Sequence, residues 1–221
     1  MTQSQLQEQL RSLRLGHFAQ ALQQQQSQAT TYDEMSFEER LGLLAQHEIH
    51  CRQDSKVKRL LRQATLRLEA HASRLEYRAE RGLRKDKVAT LLSGQYLHRA
   101  HNIIVTGATG CGKTYFACAL ARQACEQHHT VRYYRLGQLL DELNIGHADG
   151  SYRQQLAQLA KKKLLILDDW GMEKLSARQA NDLLDVMEER YQNTSTIIAS
   201  QLPVTEWYKL ISNPTVADAL L

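Results

Sequence analysis

Through the first hundred positions, apolar residues recur every three or four places. From His101 onward they gather into short runs separated by longer amphipathic stretches. The first rhythm belongs to helices with one buried face, the second to buried parallel strands alternating with covering helices. Residues 4–27 read as one helix fading into Gln23-Gln24-Gln25-Gln26, and Thr30 to Asp33 read as a break. Ser36-Phe37-Glu38-Glu39 has capping-box spacing, and Phe37, Leu41, Leu44 and Ile49 follow on one helical face. A third helix over 54–70 sets Val57, Leu60, Leu61, Ala64 and Leu68 on one stripe, with Lys58, Arg59 and Arg62 opposite. No proline precedes Pro203 and glycine is sparse before Gly107, so little interrupts these helices.

Strands are expected at Ile103–Thr106, Val131–Tyr134, Leu164–Leu167 and Thr196–Ala199. The intervening helices fall near 112–127, 136–146, 151–161 and 176–192, the last capped by Ser176. The expected architecture is therefore α/β, a parallel sheet flanked by helices, preceded by a small all-α domain. The boundary is placed near residue 95, giving a helical domain over 1–95 and an α/β domain over 96–221. No internal repeat is visible.

Composition supports a folded chain: of 221 residues, 43% are hydrophobic and 24% charged. No stretch approaches the roughly 20 apolar residues of a membrane span, and MTQSQLQEQL lacks a secretory apolar core, so no membrane contact and a cytoplasmic location are expected. Cys51, Cys111, Cys118 and Cys125 form no C-x-x-C pair, which points to reduced, mostly buried thiols. The net charge of +4 is unevenly spread: residues 1–100 carry 16 basic against 11 acidic side chains (+5), and 101–221 carry 12 against 13 (−1). Residues 50–87 hold 12 basic and 5 acidic, a density that suits either a polyanion or a solvated helix face.

Directly after the first expected strand comes Gly107-Ala108-Thr109-Gly110-Cys111-Gly112-Lys113-Thr114, a G-x-x-x-x-G-K-[ST] sequence between strand and helix. Glycines let the backbone curl so that successive N–H groups face an anion, and the helix N-terminus adds partial positive charge. Nucleotide contacts are assigned to Gly107, Ala108, Thr109, Gly110, Cys111, Gly112, Lys113, Thr114 and Tyr115. Within them Lys113 reaches the β- and γ-phosphates, Thr114 holds Mg²⁺, and Cys111 offers its backbone N–H. About fifty residues on, Leu164-Leu165-Ile166-Leu167-Asp168-Asp169 is an apolar strand ending in two acids. Asp168 is placed at the Mg²⁺ beside Thr114, and Asp169 is placed to orient or deprotonate a water. The fourth strand delivers Ser200 and Gln201 to the same crevice, where Gln201 either contacts the γ-phosphate or simply ends the strand.

These motifs, with Leu167-Asp168-Asp169-Trp170-Gly171, Ser200-Gln201-Leu202-Pro203-Val204, Trp207 and Asn213–Leu221, resemble the AAA+ ATPases of the initiator and helicase-loader group. The likeness is strongest to IstB-like proteins, ATP-dependent helpers of a transposase. It implies ATP and Mg²⁺ as cofactors, slow, assembly-dependent ATPase activity, and Lys113, Asp169 and Gln201 as the catalytic set. It also implies homo-oligomeric assembly on double-stranded DNA, remodelling of that DNA, and its delivery to a transposase. Many relatives carry Glu where Asp169 stands, and the shorter side chain is expected to slow hydrolysis. The family's fifth strand, lid and arginine finger come after the position of Leu221, so the C-terminal part of the AAA+ module is expected to be missing and no arginine finger is assigned.

DNA contacts are expected in two places. Ser151, Tyr152 and Arg153 start a helix between the second and third strands, where a hydroxyl and guanidinium suit a phosphate or merely cap the helix. Lys58, Arg59 and Arg62 form the second set. Nothing resembles a base-reading module, so binding is expected to ignore sequence and respond to salt. Other readings are a replicative helicase loader of the DnaC type, a DNA scaffold that binds ATP with little hydrolysis, and a small-molecule kinase.

Overall fold

The computed structural model describes residues 2–77, 82–211 and 216–218. They form two compact units, Met1–Lys58 and Arg59–Leu221. The division falls at Lys58, well before the expected position near residue 95, because the segment after it packs on the sheet. Leu60, Ala64, Ala70, Val88 and Leu97 are buried in one cluster with Phe116, Leu120 and Cys125.

In the first unit, α1 (Gln3–Ser12) and α2 (Gly16–Ser27) replace the single helix expected over 4–27. The break is at Arg14, whose φ of 60° is left-handed. The break expected at Thr30–Asp33 is instead largely taken up by a short helix, α3 (Ala29–Tyr32). Next comes α4 (Phe37–Ala64), one continuous helix where two were expected, since no breaker lies between them. The capping box forms as read: Glu39 N–H donates to Ser36 Oγ (3.2 Å) and Ser36 N–H to Glu39 Oε2 (2.8 Å). The stripe Phe37, Leu41, Leu44, Ile49 does not form a buried face: Leu44 is buried, whereas Phe37, Leu41 and Ile49 are exposed.

The helix stops at Ala64 because Thr65 turns left-handed, with φ of 51°. Leu68, expected on its apolar stripe, therefore lies outside the helix and is exposed. Then come α5 (Lys85–Leu92) and α6 (Gln95–His98).

The sheet follows: β1 (Ile103–Thr106), α7 (Lys113–Glu126), β2 (Val131–Arg135), α8 (Leu136–Asp149), α9 (Tyr152–Ala160), β3 (Leu164–Trp170), α10 (Ala177–Arg190), β4 (Ser195–Ser200) and α11 (Val204–Trp207). The order is β1-β4-β3-β2 and every pairing is parallel. The inner strands β3 and β4 are buried almost throughout because helices cover both their faces, whereas the edge strand β1 alternates half-buried with exposed residues and β2 carries Arg132 and Arg135. One face carries α7 and its partners, with Ala117 to Ala121 fully buried. The other carries Leu139, Leu143, Leu183 and the tilted pair Trp170 and Trp207. Cys118 and Cys125 are buried and their thiols are pushed up by desolvation, Cys125 to about 12, whereas Cys51 and Cys111 are half-buried. Of the C-terminal family segment Asn213–Leu221, Asn213–Thr215 and Ala219–Leu221 lie outside the described residues. No helix among the described residues is long and apolar enough to cross a membrane.

Candidate nucleotide-binding site

Parallel strands deliver their carboxyl ends to one edge, and β4 sits between β1 and β3. The loop after β1, the acids ending β3 and the residue after β4 therefore converge. Together they line a cleft of about 430 Å³ that includes Thr109, Lys113, Thr114, Asp168, Asp169 and Gln201.

The loop curls where sequence chemistry allows it. Gly110 (φ 80°) and Gly112 (φ 92°) adopt left-handed backbone, and Gly112 caps α7, so Lys113 and Thr114 occupy its first turn. Lys113 Nζ donates to the carbonyls of Gly107 (2.8 Å) and Ala108 (2.9 Å). Cys111 directs its backbone N–H to Ala108 O (3.4 Å), so that group turns to the loop itself. Tyr115 also lines the cleft, and its hydroxyl meets the backbone of His71.

The two acids share the cleft because β3 is irregular there. Leu167 pairs with Ile198 but Trp170 pairs with Ser200, so β3 carries one extra residue against β4. Asp169 absorbs it with φ of 59°. In a regular strand consecutive side chains face opposite sides, and the bulge brings both carboxylates to one cleft. Asp168 is almost wholly buried, and its Oδ2 accepts from Thr114 Oγ1 and from the Tyr133 hydroxyl, each at 2.7 Å. Burial, then the bond to Asp168, raises the Tyr133 phenol well above its ordinary pKa. Asp169 donates its N–H to Asp168 Oδ1 (2.9 Å), and its own Oδ2 meets Arg67 Nη1 (3.4 Å) and Arg135 Nε (3.3 Å). Gln201 Oε1 accepts from Thr109 Oγ1 (2.7 Å), tying the end of β4 to the loop after β1.

Thr114 and Asp168 offer adjacent hard oxygens, a donor set that suits Mg²⁺, which takes few protein ligands and completes its shell with water and phosphate oxygens. Among the described residues no group of three His, Cys, Asp or Glu could hold a metal alone.

The structure thus brings together the loop, Asp168, Asp169 and Gln201. None of the six residues proposed for DNA lines this cleft. Ser151 is occupied locally, its N–H donating to Asp149 Oδ1 (2.9 Å) and its Oγ accepting from Gln155 (3.0 Å). Tyr152 stacks on His147 at 3.8 Å and donates to Asp185 Oδ2 (2.7 Å); burial, then Asp185, raises its phenol. Arg153 lines a separate groove together with Asp185, Glu188 and Glu189. Lys58, Arg59 and Arg62 are exposed along α4.

Sequence reading missed Arg67, Tyr133 and Arg135. Arg135 had a usable signal, since the end of β2 must reach the same edge, and it pairs in register with Asp168. Tyr133 and Arg67 had none, because one depends on which way β2 faces and the other on where α4 stops.

Comparison with known proteins accords with this geometry. The family described as IstB-like ATP binding protein matches residues 8–221. An insertion sequence IS1162 protein of Pseudomonas fluorescens, named for ATP binding, is 46% identical over 92% of this chain and 87% of its own length. Among solved structures, the DnaC helicase loader aligns with TM-score 0.58 at 18% identity over 74% of this chain and 94% of its own. AMPPCP-bound DnaA from Aquifex aeolicus aligns with TM-score 0.62 at 17% identity, over 70% of this chain and 48% of its own. A sheet of AAA+ type, a glycine-rich loop closing at Lys113 and a family match across nearly the whole length lead to one conclusion: this chain belongs to the IstB-like ATP-binding proteins.

Proposed function

We propose that the chain binds ATP with Mg²⁺ in this cleft, hydrolyses it slowly, and acts as a DNA-binding helper of transposition. In this reading it assembles with copies of itself on duplex DNA and passes that DNA to a transposase. One observation carries the reading. Lys113, the hydrogen-bonded pair Thr114 and Asp168, Asp169 and Gln201 meet in a single cleft at the carboxyl edge of a parallel sheet.

Bound Mg²⁺ supplies charge neutralisation across the phosphates. The loop N–H groups and the start of α7 hold the phosphate oxygens, and Lys113 exchanges the carbonyls of Gly107 and Ala108 for them. Thr114 and Asp168 hold the metal side. Asp169 orients the attacking water and accepts its proton, and Gln201 fixes the far side of the γ-phosphate. Asp169 is short and engaged by two guanidiniums, which supports slow turnover by the isolated chain.

The insertion-sequence origin of the 46% identical relative supports the transposition role. The exposed basic row Lys58, Arg59 and Arg62 is the better DNA contact, because Arg153 shares its groove with Asp185, Glu188 and Glu189 and Tyr152 is already bonded. The helical unit serves self-assembly or DNA contact.

The test is phosphate release, nucleotide binding and assembly measured on duplex and single-stranded DNA. Lys113→Ala is expected to abolish nucleotide binding, and Asp169→Asn to lower turnover roughly 10²-fold while binding persists. Preference for single strands would favour a helicase loader. Equal background release by wild type and Asp169→Asn would favour a scaffold. Absence of any heat on titrating ATP into folded protein would overturn the reading.

A further inference from the structure

Arg67 is part of neither the loop nor the strand ends, yet it lines the phosphate cleft. It gets there because Thr65 ends α4 with a left-handed residue and the chain is then pinned. Ala70 is buried in the core, and the His71 backbone N–H and carbonyl meet the Tyr115 hydroxyl at 3.3 and 3.4 Å, one residue beyond Thr114. The guanidinium is held toward its charged form by the Tyr133 hydroxyl and then by Asp169 and Asp168.

Arg67 and Arg135 contact the same oxygen of Asp169, at 3.4 and 3.3 Å, but are not equivalent. Arg135 lines a separate groove with Met172 and Lys174, outside the phosphate cleft. Arg67 can therefore leave Asp169 without stripping it of a cation, because Arg135 remains. The contact it would give up is partly exposed and correspondingly weak, with Arg67 40% and Asp169 33% open to solvent. A terminal phosphate offers more charge and a matching fork for a planar guanidinium.

We infer that Arg67 senses the γ-phosphate: it exchanges its ion pair with Asp169 for the terminal phosphate of a bound nucleoside triphosphate, so the cleft distinguishes tri- from diphosphate. This rests on the ATP-binding reading above. The exchange also leaves Asp169 with one cation instead of two, freeing the carboxylate to turn toward water only when a γ-phosphate is present.

Equilibrium titrations of wild type, Arg67→Ala and Arg67→Lys with Mg²⁺ and either ADP or a non-hydrolysable ATP analogue test this. Arg67→Ala is expected to lose about tenfold in affinity for the triphosphate while its ADP affinity stays within about twofold. Arg67→Lys should recover part of the difference, because charge returns without the fork. Equal losses for both nucleotides would assign Arg67 a structural role and overturn the inference, as would no loss for either. A wild type that binds both nucleotides equally would also overturn it while leaving ATP binding intact. A wild type that binds neither would sink the ATP reading itself.

Discussion

The helical unit is poorer in apolar residues than the sheet unit, 20 of 58 against 74 of 163, and the two place them differently. Among the described residues of 2–58, Ala19 and Leu44 are the buried apolar side chains, and they share the interior with Gln25 and Glu48. Glu48 accepts from the backbone N–H of Phe18 (2.7 Å) and pairs with Arg52 (2.5 Å), and Gln25 donates to the carbonyl of Arg40 (3.2 Å). The sheet unit instead buries two apolar layers, with Leu143, Leu164, Ile166 and Leu183 fully enclosed. Its buried Arg190 donates to the carbonyls of Leu159, Lys162 and Ser195 and to Thr196 Oγ1. A unit held by a few polar anchors depends on each of them, whereas a layered apolar core spreads its stabilisation.

The largest effect is expected on the sheet side. Arg190→Ala would take a donor from the carbonyls of Lys162, Ser195 and Leu159, the last of which keeps the Lys162 N–H, and open a cavity, at a cost of about 3–5 kcal/mol. Both tryptophans, Trp170 and Trp207, lie in that unit, so their fluorescence follows its unfolding. A denaturant midpoint unchanged by the substitution would contradict the account. Burial pushes the Arg190 guanidinium down to about 10, so the side chain stays charged at neutral pH and its bonds persist there.

The next effect belongs to the helical unit. Glu48→Ala leaves the Phe18 N–H without its acceptor and should cost about 1–3 kcal/mol. Amide exchange should accelerate across α1 and α2, while tryptophan fluorescence stays unchanged. Burial opposes ionisation of Glu48, but Arg52 and the Phe18 N–H outweigh it and hold the carboxyl below its ordinary range. Its contribution is therefore present above the unfolded carboxyl pKa and fades as pH falls through the lower folded value. Acid titration followed by amide exchange should loosen α1 and α2 within that window in wild type but add little in Glu48→Ala. The smallest effect tests the exposed stripe: Phe37→Ser and Ile49→Ser should each stay within about 0.5 kcal/mol in the monomer. A larger loss by thermal melting would mean those side chains are packed.

The same contrast explains what could be read in advance. Each strand of the sheet carries a short apolar run, so all four were found within a few residues at each end. The glycine loop was legible because its chemistry demands fixed residues at fixed spacing, and Asp168 followed from its place at a strand end. In the helical unit amphipathic spacing gave helical character but neither the breaks between helices nor which face is covered, so one expected helix is α1 and α2, two are α4, and Phe37, Leu41 and Ile49 were misjudged.

Sequence alone determined the α/β class, the loop closing at Lys113 and the identity of the acids, since each rests on local periodicity or on contiguous residues. Tertiary structure decided that a bulge turns Asp168 and Asp169 into one cleft, that α4 ends early enough to present Arg67, and that Arg135 meets Asp169 from β2. Those outcomes join residues as many as 102 positions apart, and a one-residue change in register or helix length would reverse each of them.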